Sequence, residues 1–166
     1  MKQNDFSVTI CEAKIVQESQ NSYLSYLTSS SYAVFKIETK SRLPGYGNDN
    51  KLHKVFRRFS DFEYLLKQLQ ENPDYKSYQF PILPEKKIMG NLDEKFIEKR
   101  RVELEGFLRV MVSMDMRVKR DANLSAFLTF DEDKFKEYKQ NPHPYRDKMW
   151  SLYSQLPSFN IKEMTS

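Results

Sequence analysis

A change of hydrophobic period near residue 60 constrains this chain more than any other feature. Before it apolar residues alternate, and after it they recur three and four positions apart. Alternation puts successive side chains on opposite faces of a strand, whereas the longer spacing lines one side of a helix. Phe6, Val8 and Ile10 share one parity, while Ala13 and Ile15 take the other. That slip predicts a strand with a bulge near Cys11 and Glu12. Ala33, Phe35 and Ile37 fall on one face of a second strand over 32–40, and a third strand runs from about Leu52 to Phe59. The Ser-rich stretch 17–31 reads as a long hairpin loop, and Pro44, Gly45, Gly47, Asn48 and Asp49 mark the next one. Three strands joined by such loops predict an antiparallel meander.

Helical signals follow. Ser60 with Glu63 three residues later has the form of a capping box, and Phe62, Leu65, Leu66 and Leu69 make an apolar stripe. Asn72-Pro73 ends that helix, and Phe80-Pro81-Ile82-Leu83-Pro84 reads as an extended segment stiffened by two prolines. A longer helix is predicted from about Asp93 to Met114, with Phe96, Ile97, Leu104, Phe107, Leu108, Met111 and Val112 facing one way. A short one is predicted over 121–128, burying Leu124, Phe127 and Leu128. The expected fold class is therefore α+β: a three-stranded antiparallel meander sheet packed against a helical subdomain, with a Pro-rich connecting loop. After Phe130 the chain becomes a charged stretch, DEDKFKEYKQ, then a hinge at Asn141-Pro142-His143-Pro144. Tyr145, Met149, Leu152, Tyr153 and Leu156 then share one face of a C-terminal helix. The expected division is a domain over 1–131, followed by a linker, an appended amphipathic helix and a tail over 132–166.

Composition removes several function classes. One cysteine, Cys11, cannot form an intrachain disulfide or a thiolate zinc cage, which fits a reducing compartment. The first residues lack the apolar core of a secretory signal, and no run approaches the ~20 apolar residues that cross a bilayer. Two histidines with that one cysteine have no metal-ligand spacing, and the four glycines are too scattered for a phosphate loop. Neither an enzyme, a metal nor a cofactor is expected.

The net charge is only +4, from 27 Lys and Arg against 23 Asp and Glu, so the position of the cations matters more than their sum. Lys51, Lys54, Arg57 and Arg58 form an acid-free block at the end of the third strand. A guanidinium there would stand beside the open amides of a helix N-terminus, and both favour a phosphate. Phe59 could present a ring face to a flat or cyclic ligand. The same basic residues could equally keep an exposed strand soluble. Arg100, four residues after Phe96 and four before Leu104, breaks an apolar stripe, where a desolvated charge calls for an anionic partner. That partner could be an internal carboxylate or a ligand, while Arg101 beside it should point to solvent. Lys86 and Lys87 follow the prolines and precede Ile88 and Met89, a pairing suited to a lipid interface. A plain surface loop with Ile88 folded back onto the core is the alternative. Acids interleaved at Asp93, Glu94 and Glu98 argue against a nucleic-acid reader.

These residues match a known family in three blocks. Arg57-Arg58-Phe59-Ser60-Asp61-Phe62-Glu63, Phe80-Pro81-Ile82-Leu83-Pro84-Glu85-Lys86-Lys87 and Phe96-Ile97-Glu98-Lys99-Arg100-Arg101 resemble, in order and spacing, the Phox-homology (PX) domain of sorting nexins. The resemblance covers about residues 6–131. It implies a basic pocket between sheet and helices for a phosphoinositide headgroup, usually phosphatidylinositol 3-phosphate. By motif, Arg58 would hold the 3-phosphate, with Ser60 beside it, and Phe59 would stack on the inositol ring. Lys86 would meet the 1-phosphate and Arg100 the ring hydroxyls at positions 4 and 5. Lys87, Ile88 and Met89 would form a membrane-inserting loop. Phe59 stands where the family more often has Tyr, and Ile82 where it often has a second proline. The implied localisation is cytoplasmic, peripheral on endosomal membranes, in protein sorting and vesicular trafficking. Sorting-complex or cargo proteins are the implied partners. The alternatives are a protein-interaction module on the same fold, a different phosphoinositide preference, or a piece of a larger sorting nexin with a BAR coiled coil.

Overall fold

The meander is present in the computed structural model, which describes residues 6–17, 31–47, 50–87 and 92–155. Strands β1 (Phe6–Gln17), β2 (Ser31–Ser41) and β3 (Leu52–Arg58) form one antiparallel sheet in the order β1-β2-β3. Phe6, Val8, Ile10, Phe35, Ile37 and Val55 turn into the core, as their parity requires. The ladder slips between Ile10 and Glu12, so Cys11 is the bulged residue. Helix α2 closes over this break. The Ile10 N–H donates to Glu105 Oε1 at 3.0 Å, and its carbonyl accepts from Arg101 Nη1 at 2.6 Å. Arg101, expected to be merely solvated, is thus tied to the sheet and forked onto Glu98. Past the bulge Ile15 is half exposed, so the shifted parity does not restore a core position there.

Helix α1 (Phe59–Glu71) begins one residue before the expected capping box and does not use it. Its N-cap is Arg58, whose side chain has no acceptor. The reciprocal bond comes from Asp61, whose Oδ2 accepts from the Arg58 N–H at 2.8 Å. Phe62, Leu65 and Leu69 are fully buried, as the stripe demands. A 3-10 turn over Pro73–Tyr75 and an extended Pro-rich stretch lead to α2 (Glu94–Ser113). Here the sequence boundaries hold closely, because Asp93 caps the helix by accepting from the Phe96 N–H at 3.1 Å. Ile97, Leu104, Phe107, Leu108, Met111 and Val112 are buried on one face. Short helix α3 (Met116–Lys119) and α4 (Ala122–Thr129) complete the subdomain, each capped by the aspartate before it.

The charged stretch after Phe130 is a helix, α5 (Glu132–Gln140), rather than an open linker. Asp131 caps it, while Phe135 and Tyr138 bury one narrow side of an otherwise polar cylinder. The supposed hinge carries the start of α6 (His143–Ser154), with Pro144 in its first turn, where a missing N–H costs nothing. Met149 and Tyr153 pack down onto the loop at Gly45, and the Tyr153 hydroxyl donates to the Pro44 carbonyl. Leu156 and the Ser-rich residues 18–30 lie outside the described residues.

Gly45 is needed at that contact. Its φ is +90°, and a Cβ there would lie 2.5 Å from the Met149 Cε. Gly45→Ala is expected to destabilise the fold by about 1–2 kcal/mol, read as a lower denaturant midpoint at unchanged m. An unchanged midpoint would mean that α6 does not press on this loop in solution.

Candidate functional site

The end of β3, the first turn of α1, the Pro-rich stretch and α2 converge on one open cavity of about 190 Å³. Arg58, Phe59, Ser60, Lys86, Lys87 and Arg100 all line it. All five residues predicted to contact a headgroup are therefore gathered in one place, together with Lys87. Ile88 and Met89 fall outside the described residues. Lys51, Lys54 and Arg57, read in sequence as part of the same basic block, do not line the cavity. Lys54 faces Glu38 across the strands at 4.0 Å. Arg57 turns inward, because adjacent strand residues point to opposite faces. It is fully buried and donates to the Phe127 and Phe56 carbonyls at 2.8 Å each, and also to those of Ala126 and Phe130. Burial brings its pKa down to about 10, opposed by the nearby Asp61, Glu132 and Asp131. It remains a cation at neutral pH, with a structural role.

Arg58, one residue on, is exposed, and its guanidinium carbon lies 3.7 Å from the Tyr32 ring centroid. The register explains the contact: Val34 pairs with Arg58, so Tyr32 is its diagonal neighbour on the same face. Ser60 stands in the first turn of α1. Since Arg58 supplies no side-chain acceptor, that turn has open amides, the arrangement that favours an anion. The one acid of the turn, Asp61, is drawn to the other side by Lys139 at 2.7 Å.

Arg100 is 6% exposed and sits between two rings, 4.1 Å from the Phe59 centroid and 4.6 Å from that of Phe96. It donates to the Glu85 carbonyl, which anchors the Pro-rich stretch to α2. Its Nε is buried with no hydrogen-bond partner among the described residues. Desolvation lowers its pKa, opposed by Glu103 and Glu63, and neither makes an ion pair with it within 4 Å. The internal carboxylate considered from sequence does not pair with it. Phe59 thus already offers its ring to a cation, a role that sequence spacing did not indicate.

Lys86 is largely exposed and lies 3.9 Å from Glu63, a loose pair worth little in solvent. Lys87 sits over the Phe96 ring at 4.5 Å. Four cations therefore face a cavity holding one carboxylate, Glu63. Such a pocket suits a phosphorylated ligand, with arginine forks for phosphate oxygens and an aromatic wall beside them. Tyr32 and Glu63 were missed as lining residues. The signal for Tyr32 was its strand register, which a sequence with a long intervening loop does not disclose.

No helix among the described residues is long and apolar enough to cross a membrane. A family model described as PX domain matches residues 45–131, just over half the chain. Vacuolar protein sorting-associated protein 5 of Saccharomyces cerevisiae is 37% identical over 82 residues, covering 49% of this chain and 12% of the relative. Sorting nexin 2B of Arabidopsis thaliana is 31% identical over 124 residues, covering 73% and 20%. Human sorting nexin-1 is 29% identical over 140 residues, covering 78% and 24%. The chain thus spans no more than a quarter of the length of these relatives. Among solved structures, a designed CISK-PX domain superposes with a TM-score of 0.54 at 29% identity, covering 74% of this chain and 97% of that one. The mouse SNX19 PX domain with bound sulphate ion gives 0.55 at 21% identity, covering 74% and 93%, and supports the fold alone. With its three-stranded antiparallel sheet, its helical subdomain and this family match, the chain belongs to the PX domain family.

Proposed function

We propose that this chain is a non-catalytic reader of phosphatidylinositol 3-phosphate that recruits its protein to endosomal membranes. The observation that carries the proposal is the convergence of Arg58, Lys86 and Arg100 with the Phe59 ring and the open first turn of α1 around one cavity. In this reading the Arg58 fork swings from Tyr32 to the 3-phosphate, next to Ser60. Lys86 leaves Glu63 for the 1-phosphate. Arg100, fixed by Glu85 and its two rings, turns its unpaired Nε edge to the ring hydroxyls, and Phe59 supplies a wall. Lys87, Ile88 and Met89 dip into the interface. Each well-placed cation adds about 1 kcal/mol of attraction to an anionic surface. The lipid-reading unit is residues 1–131, and α5 and α6 pack against it through Phe135 and Tyr153. Sorting-complex or cargo proteins are the partners this role calls for.

The test is a vesicle panel across singly and multiply phosphorylated phosphoinositides at constant total charge. Sedimentation is expected to favour the 3-phosphate lipid at least about tenfold over vesicles of matched charge without it. Binding that follows charge alone, or a preference for a bisphosphate, would remove the endosomal assignment and leave the fold untouched.

A further inference from the structure

A second crevice, of about 210 Å³, lies between the end of α1, helix α3 and the appended α6. Three arginines, Arg117, Arg120 and Arg146, line it together with Asp74, Asp121 and Trp150. Arg117 is buried and donates from Nη1 to the Asp74 carbonyl at 3.3 Å. Arg120 lies over the Tyr153 ring at 5.2 Å, and its Nε is buried with no hydrogen-bond partner among the described residues. Neither Arg120 nor Arg146 makes an ion pair or a side-chain hydrogen bond with a described residue. Asp121 brings a carboxylate charge near Arg146 but forms no ion pair with either arginine within 4 Å, and its oxygens accept from other donors. Oδ2 accepts from the Tyr75 hydroxyl and Oδ1 from the Asn123 N–H, each at 2.8 Å. Three guanidinium groups therefore share a polar crevice with two aspartates, a place where unpaired donors are costly. The two half-buried ones, Arg120 and Arg146, have no ion pair within 4 Å among the described residues.

We propose that this crevice is a second oxyanion site, which takes a phosphate monoester carried on a side chain of a protein partner. Planar guanidinium forks match phosphate oxygens, and two of them can share one dianion. The phosphate comes from a protein rather than from the lipid bound at the first cavity. Helix α1 runs from the first cavity to this crevice, and its 13 residues at 1.5 Å each separate the two by about 20 Å. That is more than twice the ~8 Å Debye length at physiological salt, so a charge bound at the first cavity is screened from this one. Trp150 on the rim is 46% exposed, and Arg with Trp is the pairing that anchors peptide contacts. The site also exists only with α6 docked, since Arg146 and Trp150 both belong to that helix. This inference is independent of the lipid preference proposed above.

Trp150 is the only tryptophan of the chain, so its fluorescence reports the crevice directly. The intact 166-residue chain would be titrated with N-acetyl-phosphoserine amide at constant ionic strength. N-acetyl-serine amide and inorganic phosphate serve as the other arms. A saturable change with the phosphoserine probe is expected, and none with the serine one. The affinity should fall at least about tenfold in Arg146→Gln and in Arg120→Gln, with vesicle binding unchanged. No saturable change, or one that survives both substitutions, would overturn the site. Inorganic phosphate binding as tightly as the phosphoserine probe would overturn the protein-borne source. Should Arg120→Gln undock α6, seen as a lower melting temperature, the half-buried Arg146→Gln decides alone. Loss of vesicle binding in Arg146→Gln would show that the crevice serves the membrane, and would also overturn the proposal.

Discussion

Arg57→Ala is expected to destabilise the fold by about 4 kcal/mol, lowering the melting temperature by roughly 10 °C or more. The size follows from what the guanidinium holds. Helix α4 ends at Thr129, so carbonyls of its last turn lack partners along the helix. Arg57 reaches the Phe127, Ala126 and Phe130 carbonyls from the sheet and places its charge at the negative end of the helix dipole. Its carbon also lies 4.3 Å from the Phe135 ring, so it joins β3, α4 and α5 at one point. Alanine would leave two buried acceptors, the Phe127 and Phe130 carbonyls, without this donor, at about 1–3 kcal/mol each before relaxation or entering water reduces the loss. The Ala126 carbonyl keeps the Phe130 N–H. Arg57→Lys should recover only part, because one ammonium cannot span carbonyls on both sides. Thermal melts followed by circular dichroism would measure both variants. A melting temperature for Arg57→Ala within two degrees of the parent would show that α4 does not depend on this arginine.

Arg58→Ala is expected to do the reverse: to abolish vesicle binding while leaving the fold nearly as stable. The stability cost is limited to an exposed cation–π contact with Tyr32, about 0.5–1 kcal/mol. The bond that starts α1 uses the Arg58 backbone N–H and survives the substitution. Binding loses the one fork placed beside the open amides of that helix. Truncating a desolvated phosphate partner costs about 2–5 kcal/mol, or on the order of a hundredfold or more in affinity. Sedimentation with 3-phosphoinositide vesicles, alongside a melt, separates the two quantities. Parent-like binding by Arg58→Ala would exclude this cavity as the headgroup site. Adjacent arginines would thus divide cleanly into one that holds the fold and one that holds the ligand.

That division was half legible. Arg57 shares the parity of the buried Val55, so strand alternation alone points it inward. What it would find there was not legible, because the carbonyls it binds belong to a helix about seventy residues later. Helix α2 was predicted almost to the residue because its stripe is wide and its Asp93 cap is local. Helix α5 was missed because Phe135 and Tyr138 alone among nine residues are buried, too few to mark a period. The Ser60–Glu63 pattern misplaced a cap, because Asp61 competes for the same turn and reaches the Arg58 N–H.

Local chemistry was therefore enough to determine the α+β class, the three strands and their bulge, the main helices and the residue types suited to a phosphate. Each of these depends on neighbours within a few positions, through side-chain period, turn residues or capping. The tertiary structure alone decided which cations are free to act. It buried Arg57 under α4, tied Arg101 to the β1 bulge, and set Arg100 between two rings with one nitrogen unpaired. It also brought α6 back to complete a second arginine crevice. Such outcomes depend on which distant donors and acceptors packing brings within hydrogen-bond reach, and sequence spacing carries no record of those distances.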